Sequence, residues 1–433
     1  MITQRDLVQQ LERRNPGGWS VVERVQDIAF AAEQPARQRR DHRTRLTLIV
    51  HQDVPRGRGS ARLDIDPFDG SPSDVVDQAI SLALATVGPA WASTPPAAPA
   101  KVDLVDPDLV KRELDAVALG TLARLRRPDG VTVTASASAL REKVTVIAGS
   151  GFHATWLATS LRGDAVIATG ARRLAISRQA RRGDDFDLDA AVTAAAADLA
   201  VLVTAGPPVP GRCALWLGPE ALLPGAATDD DATRDHGLWT IFARQADATV
   251  ERQGLTRYRP RVEIARGASQ LAEPLSITSN GALDFAALSV PVTDDAVAIR
   301  SFPLIDRGIA VGLGLTPREA ALRRTDPNGG VRNLIVAPGT WSPSPSSQAP
   351  RTIELRRLAA ITIDPYTGEA TLDVALGLEH RPGRPDPIPF TGGSFRLDLI
   401  AALARGRRSP DLLRRGGYHG PAAILIDDAE LIV

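Results

Sequence analysis

Apolar residues recur at every second position in several short segments of the first two hundred residues. The period is clear in RLTLIVHQ (45–52) and ARLDID (61–66), which are joined by the turn-like sequence PRGRGS. It returns in VTVTASASA, EKVTVIAG, HATWLATS and RRLAISRQ between residues 131 and 179. Such an alternation with one polar face is typical of antiparallel strands in a half-exposed sheet.

Other segments carry apolar residues at helical spacing. Helices are predicted near the N-terminus, over 71–88 with Ser73 as the N-cap, over about 107–126, and over 187–203. With the strands between them, they predict an N-terminal α+β domain over residues 1–205, made of two rounds of helix, antiparallel strands and helix.

The Pro- and Gly-rich sequence AGPPVPGR (205–212) predicts a domain boundary. Beyond it, strand-like runs and turns follow each other closely, so residues 206–433 are expected to form a mainly antiparallel β domain, barrel- or sandwich-like. Helices are predicted there at about 238–252, 316–323 and 396–405. The fold class expected for the whole chain is α+β.

The amino-acid composition argues against nucleic acid and membrane as partners of the chain. Lysine and arginine together number 51, as do aspartate and glutamate, so the chain lacks the basic excess of a general nucleic-acid binder. No segment has eighteen consecutive apolar residues and the N-terminus carries acids, so we expect no membrane partner, no signal peptide and a cytoplasmic location. The single cysteine, Cys213, lies in the apolar run CALWLG and is interpreted as a buried thiol rather than a nucleophile.

Three charged runs have alternative interpretations. Asp294–Asp295 lies between strands and is expected to shape a turn, with a carboxylate pair for acid–base chemistry as the alternative. The basic run ARQRRDHRTR (36–45) is expected to be a solvated face or hairpin loop, with contact to an acidic partner as the alternative. The run Asp229–Asp231 is expected to be a solvated loop rather than a cation site.

Segments of the second domain, taken in order, resemble a known family. They are 274–320, 327–339 and 356–380, followed by IPFTGGSFRLDLIAAL. This order resembles the TldD/PmbA family, also called modulator-of-gyrase or TldD/TldE peptidases. The helix and strand alternation of residues 1–205 and the sequence PGRCALWLGPEALLPGA are similar to that family as well. The resemblance spans nearly the whole chain and rests on order and spacing rather than on a single motif.

The resemblance implies a zinc metallopeptidase complex acting on unfolded peptides. One subunit type carries H-E-x-x-x-H on a helix and a cysteine far downstream, and the other, TldE/PmbA-like, lacks them. The matching helix here would lie within 237–254, with Trp239 and Arg244 at the two histidine positions, and neither residue binds zinc as histidine does.

The resemblance therefore implies a subunit with no catalytic or metal-binding residues and no cofactor of its own. Zinc is expected in a TldD-like partner that carries H-E-x-x-x-H, in a heterodimer or higher heteromer that cleaves or trims peptides. The purpose would be protein turnover or the maturation of a natural-product precursor. A stand-alone peptide-binding protein on the same scaffold is the alternative.

Two glycine-containing loops, DPNGG (326–330) and TGGS (391–394), are candidates for peptide contact, because such loops lie near the peptide groove in the family. Glycine accepts positive φ and lets another backbone approach closely, so a peptide could add a strand there. Simple tight turns are the alternative. The expected groove residues are Arg300, Asn328, Gly329, Gly330, Asn333, Gly392, Gly393 and Ser394.

Overall fold

The structure is a computed structural model that describes residues 1–68, 70–93, 97–225, 235–342 and 349–433. The expected α+β class is confirmed. The acidic run Asp229–Asp231, which the sequence analysis singled out, lies outside the described residues.

The strands, in chain order, are β1 (Gly18–Glu33), β2 (Ala36–Val54), β3 (Gly57–Ile65), β4 (Thr132–Ala148), β5 (His153–Thr169), β6 (Arg172–Ala180), β7 (Gly211–Leu217), β8 (Ile277–Asn280), β9 (Phe302–Asp306), β10 (Ile309–Ala310), β11 (Asn333–Val336), β12 (Thr352–Ile363), β13 (Glu369–His380), β14 (Ile388–Phe390), β15 (Ser394–Asp398), β16 (Arg407–Arg408), β17 (Leu412–Arg415), β18 (Tyr418–Pro421) and β19 (Ile424–Ile432). The α-helices are α1 (Gln4–Arg14), α2 (Pro72–Ala85), α3 (Pro107–Lys111), α4 (Leu114–Ala123), α5 (Leu188–Val203), α6 (Pro219–Leu222), α7 (Thr240–Gln245), α8 (Ala248–Arg252), α9 (Pro317–Leu322) and α10 (Leu399–Arg405). Short 3₁₀ turns lie at Gly183–Asp185, Gly237–Trp239 and Ala268–Gln270.

The first sheet has six antiparallel strands in the order β3-β2-β1-β4-β5-β6 and curves into a half-barrel. One face carries the apolar residues that the alternation predicts. At one end it packs against α1 and α2 through Leu7, Leu48 and Val76. At the other end the small residues of β4 pack against α4 and α5. We call this the covered face.

The opposite face of this sheet, which we call the open face, carries a different set of side chains. Their positions follow from the strand registers, in which Phe30 pairs with Ser138 and Ser138 with Arg162. The second domain packs on this face near Val22 and Val144, which share a core cluster with Val292. Elsewhere most of its residues are half-buried or exposed, although Ile49 and Ala158 are buried, and no helix among the described residues belongs to a core cluster with Val22 and Val144.

The second domain contains a closed barrel and a further sheet. Strands β12, β7, β19, β15 and β13 are hydrogen-bonded in this order, and β12 also pairs with β13, which closes the ring. The second six-stranded sheet has the order β10-β9-β8-β11-β18-β17. The expectation of a barrel-like β domain is therefore confirmed, and the barrel interior and this sheet share one large core cluster.

A buried ionic cluster ties the two domains together. Asp198 on α5 accepts hydrogen bonds from Arg356 and Arg357 on β12, each at 2.7 Å. Glu220 on α6 accepts from Arg178 of β6 at 2.6 Å and from Arg357 at 3.1 Å. Because a buried charge is stable only when it is paired, these contacts fix how the half-barrel sits on the closed barrel.

Several predicted elements differ from those observed. The helix expected over 107–126 is two helices, because Arg112 between them is extended (φ −95°, ψ 151°). The N-cap of α2 is Ser71 rather than Ser73. Strand β1, sixteen residues long, was not predicted, because its apolar positions follow no clean period of two.

The helix expected over 237–254 is also divided, into a 3₁₀ turn, α7 and α8. Asp247 is extended (φ −73°, ψ 124°), and its side chain caps α8 by accepting hydrogen bonds from Thr249 N and Val250 N. A residue that caps one helix cannot continue the helix before it, so an aspartate inside the apolar stripe was the overlooked signal.

No helix in the described part of the chain is both long enough and apolar enough to cross a membrane.

Candidate functional site

The segment 293–297 forms a turn that rests on the open face. Thr293 N donates to Val297 O at 2.8 Å, and Val297 N donates to Thr293 Oγ1 at 3.2 Å. Ala296 has a positive φ of 60°, as such a reversal requires. The turn predicted at Asp294–Asp295 is therefore confirmed, and it brings both carboxylates to the sheet.

Asp294 is held by the first sheet on three sides. Its carboxylate lies 2.5 Å from Arg24 Nη2 of β1 and 2.9 Å from Arg62 Nη2 of β3. Its main-chain oxygen accepts a hydrogen bond from Ser20 Oγ at 2.7 Å. Since Arg24 and Asp294 are 270 positions apart, only the folded arrangement of the two domains brings them together.

A cavity of about 370 Å³, here called the junction cavity, lies between the open face and this turn. Its volume falls within the roughly 300–1,000 Å³ range of small-molecule and peptide subsites. Apolar walls come from both domains, and charged side chains of both signs project from them. The lining residues are Arg24, Arg62, Glu142, Val144, Trp156, Ala158, Arg181, Val290, Val292, Thr293, Asp294, Asp295, Val297, Thr316, Pro317, Gly329 and Arg332.

Asp295 differs from its neighbour because its carboxylate has no hydrogen-bond donor among the described residues, although it lies in the same cavity. Burial, and next the adjacent negative charge of Asp294, raise the pKa of Asp295 to about 6, while Arg62 acts in the opposite direction. A carboxyl group with this pKa changes its charge near neutral pH, which suits it to proton transfer or to pH-dependent binding of a cation.

Two arginines that line the cavity donate hydrogen bonds to main-chain oxygens of the second domain. Arg181 donates hydrogen bonds to the main-chain oxygens of Ala286, Ala287 and Ser289. Arg332 donates from Nε to Gly329 O at 3.2 Å. Burial lowers the pKa of both guanidinium groups from their ordinary value, which lies so high that both remain charged.

A second cavity, of about 530 Å³, lies on the open face farther from the junction. Its lining includes Phe30, Ser136 and Val166 together with the charged residues Arg37 and Arg162. The open face thus offers a surface of small, apolar and hydroxyl side chains with charged residues at both ends.

The loop DPNGG contributes one residue to the junction cavity, Gly329, which has a φ of 84°. The side chain of Asn328 is buried and makes three hydrogen bonds within the protein. Its Oδ1 accepts from Leu315 N and Gly330 N, and its Nδ2 donates to Leu313 O. Asn328 therefore shapes the loop that holds Gly329 at the cavity wall.

The other residues expected near this loop have structural contacts. Arg300 is exposed and pairs with Asp326 at 2.9 Å. Asn333 is fully buried, and its side chain bonds to Leu288 N at 3.0 Å and to Ser289 Oγ at 2.8 Å. Asn333 thereby fixes the chain just before the turn that carries Asp294 and Asp295.

The loop TGGS belongs to the closed barrel and does not line the junction cavity. Gly392 and Gly393 have φ of 90° and 76°, and Ser394 begins β15. A Cβ on Gly393 would stand 2.9 Å from Ile432 O, so close packing requires glycine there. Of the two glycine-containing loops, only DPNGG contributes a residue to the junction cavity.

The side chains around the divided helix do not fit a zinc ion. Trp239 is fully buried and stacks on Tyr418 with 5.7 Å between ring centroids. His236 Nε2 lies 2.9 Å from Arg332 O, and burial raises the pKa of Cys213 to about 11, far above that of a thiolate ligand. In the described ranges, no three His, Cys, Asp or Glu side chains are placed together to hold a metal ion.

Sequence reasoning missed the basic half of the junction. Arg24 is the only basic residue in the segment SVVERVQ, and Arg332 precedes an apolar strand. An isolated arginine beside apolar strand residues was the available signal, because burying a guanidinium requires a partner. Nothing in the sequence indicated that this partner is Asp294.

Searches with family models gave no match to this sequence, and no curated protein matches it. Solved structures do match. A protein described as a "putative modulator of DNA gyrase" from Bacteroides thetaiotaomicron superimposes with a TM-score of 0.76 at 12% sequence identity, over 100% of both chains. TldE from Thermococcus kodakarensis superimposes with a TM-score of 0.72 at 14% identity, over 99% of this chain and 100% of its own.

This chain has their fold. A second "putative modulator of a DNA gyrase", from Thermotoga maritima, gives a TM-score of 0.72 at 14% identity over 99% of both chains. Because the sequence identity is so low, the likeness shows the fold alone. It covers both domains and the way they are arranged. It agrees with the fold that the TldD/PmbA resemblance implies.

Proposed function

We propose that the chain belongs to the TldD/PmbA family and is a TldE/PmbA-like, non-catalytic subunit of a heteromeric TldD/TldE zinc metallopeptidase. In this proposal a TldD-like partner carries H-E-x-x-x-H and the zinc ion, and cleaves or trims unfolded peptides. This chain completes the complex and helps to hold the peptide.

The observation that carries the proposal is the fold shared with TldE over 99% of this chain and 100% of TldE. Proteins of one fold can differ in function, so a second line of support comes from the residues. The six histidines are followed by Arg43, Gln52, Ala154, Gly237, Arg381 and Gly420, so no His-Glu pair exists from which H-E-x-x-x-H could begin.

The open face and the junction cavity support a role in holding peptide. An extended peptide offers main-chain donors, main-chain acceptors and small side chains, and hydroxyl and apolar groups can receive them with little sequence preference. Ser136 and Phe30 supply such groups on the open face. Asp295 and Arg332 supply charged groups at the junction.

The decisive experiment is reconstitution. The chain, a TldD-like protein with H-E-x-x-x-H, and their mixture are purified and compared by light scattering, zinc analysis and cleavage of an unfolded peptide. We expect a stable heteromer, with zinc in proportion to the partner and peptidase activity that this chain increases and a chelator abolishes. As a control, the partner's zinc-binding histidines are replaced, which should remove activity and leave assembly unchanged.

Two results would contradict the proposal. One is cleavage by this chain alone that a chelator does not stop, and the other is stoichiometric zinc in the isolated chain. Peptide binding without any heteromer would instead favour a stand-alone peptide-binding protein.

A further inference from the structure

The junction cavity contains an anionic group that lacks a donor. Asp294 takes both nearby guanidinium groups, those of Arg24 and Arg62, at 2.5 and 2.9 Å. Asp295 receives no hydrogen bond from the described residues. A partly desolvated carboxylate without a donor is unfavourable, so a ligand that supplies one would bind with a free-energy gain.

The surroundings of Asp295 suit an ammonium group. Glu142 also lines the cavity, and its Oε1 accepts a hydrogen bond from Gln26 Nε2 at 2.7 Å. Trp156 contributes an indole ring to the same lining. Carboxylates beside an aromatic ring form a common environment for a bound ammonium.

The cavity also contains cations, which limit the kind of ligand. Arg24 and Arg62 form ion pairs with Asp294, and Arg181 donates hydrogen bonds to three main-chain oxygens. Arg332 uses its Nε for Gly329 O, and no acceptor among the described residues is bonded to its two terminal nitrogens. A ligand that fits must therefore offer an ammonium to Asp295 and an oxygen acceptor to Arg332.

We propose that the junction cavity binds the amino-terminal residue of a peptide, with the α-ammonium on Asp295 and a main-chain carbonyl on Arg332. This inference rests on the proposed function, because it takes the ligand to be a peptide. A cavity of about 370 Å³ has room for a short peptide end, and Glu142, Trp156 and Ala158 of the open face line it, so the rest of the peptide would extend along that face.

The titration of Asp295 gives the binding a defined pH window. The charged groups around the cavity are Arg24, Arg62, Glu142, Arg181, Asp294 and Arg332. Burial and Asp294 raise the pKa of Asp295 to about 6, so the carboxylate form is lost as the pH falls below that value. A peptide α-amino group loses its proton near pH 8, so binding is strongest at about pH 7.

The test measures binding of trialanine and N-acetyl-trialanine to the full chain by calorimetry at pH 7 and pH 5. We expect acetylation to weaken binding about tenfold or more, because it removes a charge-assisted hydrogen bond. Binding of the free peptide should weaken at pH 5, whereas that of the acetylated peptide should not. Equal affinities for the two peptides would overturn the proposal without the use of any variant.

Asp295→Asn provides the second arm, since it keeps the size of the side chain and removes its charge. It should bring the affinity for trialanine down to that for the acetylated peptide and abolish the pH effect. Asp77→Asn, which alters an exposed pair with Arg14 far from the cavity, should change neither. Tight, Asp295-dependent binding of an acetylated peptide with an internal lysine would place a side-chain amine in the cavity and overturn the amino-terminal assignment.

This result can be separated from that of reconstitution. Asp295→Asn is expected to assemble normally with a TldD-like partner, because the site recognises peptide. A heteromer that forms normally but does not recognise the amino terminus of a peptide would contradict only the proposed binding site in the junction cavity. Amine recognition that depends on Asp295, without any heteromer, contradicts the proposed function alone.

Discussion

Asp198 Oδ2 and Arg357 Nε lie 2.7 Å apart, and both residues are buried where helix α5 of the first domain meets strand β12 of the barrel. Removing one member of a buried ion pair leaves the other without compensation. The attachment of the two domains therefore depends on a charge pair as well as on apolar packing.

Asp198→Asn is expected to lower the free energy of unfolding by about 3 kcal/mol, because Arg356 and Arg357 would both lose this carboxylate and Arg357 would keep only its pair with Glu220. The measurement is urea unfolding followed by circular dichroism. Asp77→Asn, on the exposed surface of α2, is the matched control and should leave the free energy of unfolding nearly unchanged. Equal effects of the two substitutions would contradict the role given to Asp198.

Asp295→Asn is expected to stabilise the protein at neutral and higher pH. The folded-state pKa is raised to about 6 from a reference of 3.8, so the folded state holds its proton more tightly than the unfolded chain does. The wild type therefore gains stability as the pH falls from about 6 to about 4, and above pH 6 it carries the full cost of the buried charge.

The asparagine variant lacks that cost, so it should be more stable than the wild type by about 2 kcal/mol at pH 8 and nearly equal to it at pH 4. Denaturant titrations at the two pH values check this. A variant less stable than the wild type at pH 8 would mean that the carboxylate is compensated after all.

His51 is expected to make the first domain sensitive to acid. Burial, and next the charge of Arg58, lower the pKa of His51 to about 4 from a reference of 6.5. As the pH falls, the unfolded chain takes up this proton first, so stability is lost between about pH 6.5 and pH 4.

His51→Gln removes this titration. Between pH 7.5 and pH 4.5 the wild type should lose about 2 kcal/mol more stability than the variant does, as measured by urea unfolding. The control is His42→Gln, at an exposed position in the N-terminal half of β2. Its free energy of unfolding should change with pH as that of the wild type does. If both variants lose stability in parallel with the wild type, His51 is not the group responsible.

The two glycines of the loop TGGS offer a matched comparison. Both have positive φ, so alanine at either costs about 1 kcal/mol in backbone strain. A Cβ on Gly392 would meet no heavy atom within 4 Å, whereas one on Gly393 would stand 2.9 Å from Ile432 O. Gly393→Ala should therefore lower the melting temperature further than Gly392→Ala does.

The same pair tests whether this loop contacts peptide. If TGGS is only a tight turn, Gly392→Ala should leave the affinity for a longer unfolded peptide unchanged. A loss of affinity at nearly unchanged stability would support the predicted groove residue.

The strands of the first sheet were predictable where one face packs on helices and the other meets solvent. In β4 this gives a clear alternation of buried and half-buried residues. In β1 the residues between Val22 and Ala29 are half-buried on both faces, so the period disappears and the strand was missed. The period is therefore informative only where the two faces differ in environment.

The junction site could be predicted only in part. The sequence Asp294–Asp295 gave the turn and, as an alternative, the pair of carboxylates. Asp294 is neutralised and Asp295 is not, because Arg24 and Arg62 pair with Asp294. These two arginines lie more than two hundred positions away in the sequence. Contacts over such separations are set by the tertiary arrangement, and the local pattern of residues does not record them.

The irregular stretch of β12 has a consequence for how the barrel wall tolerates change. The register with β13 shifts three times between Leu355 and Ala360. In a regular strand, consecutive side chains point to opposite sides. Because the strand is irregular here, the neighbours Arg356 and Arg357 both contact Asp198. Deleting one residue here would restore an unbroken ladder while turning one guanidinium away from α5. The most regular barrel this chain could form would thus hold its neighbouring domain less firmly.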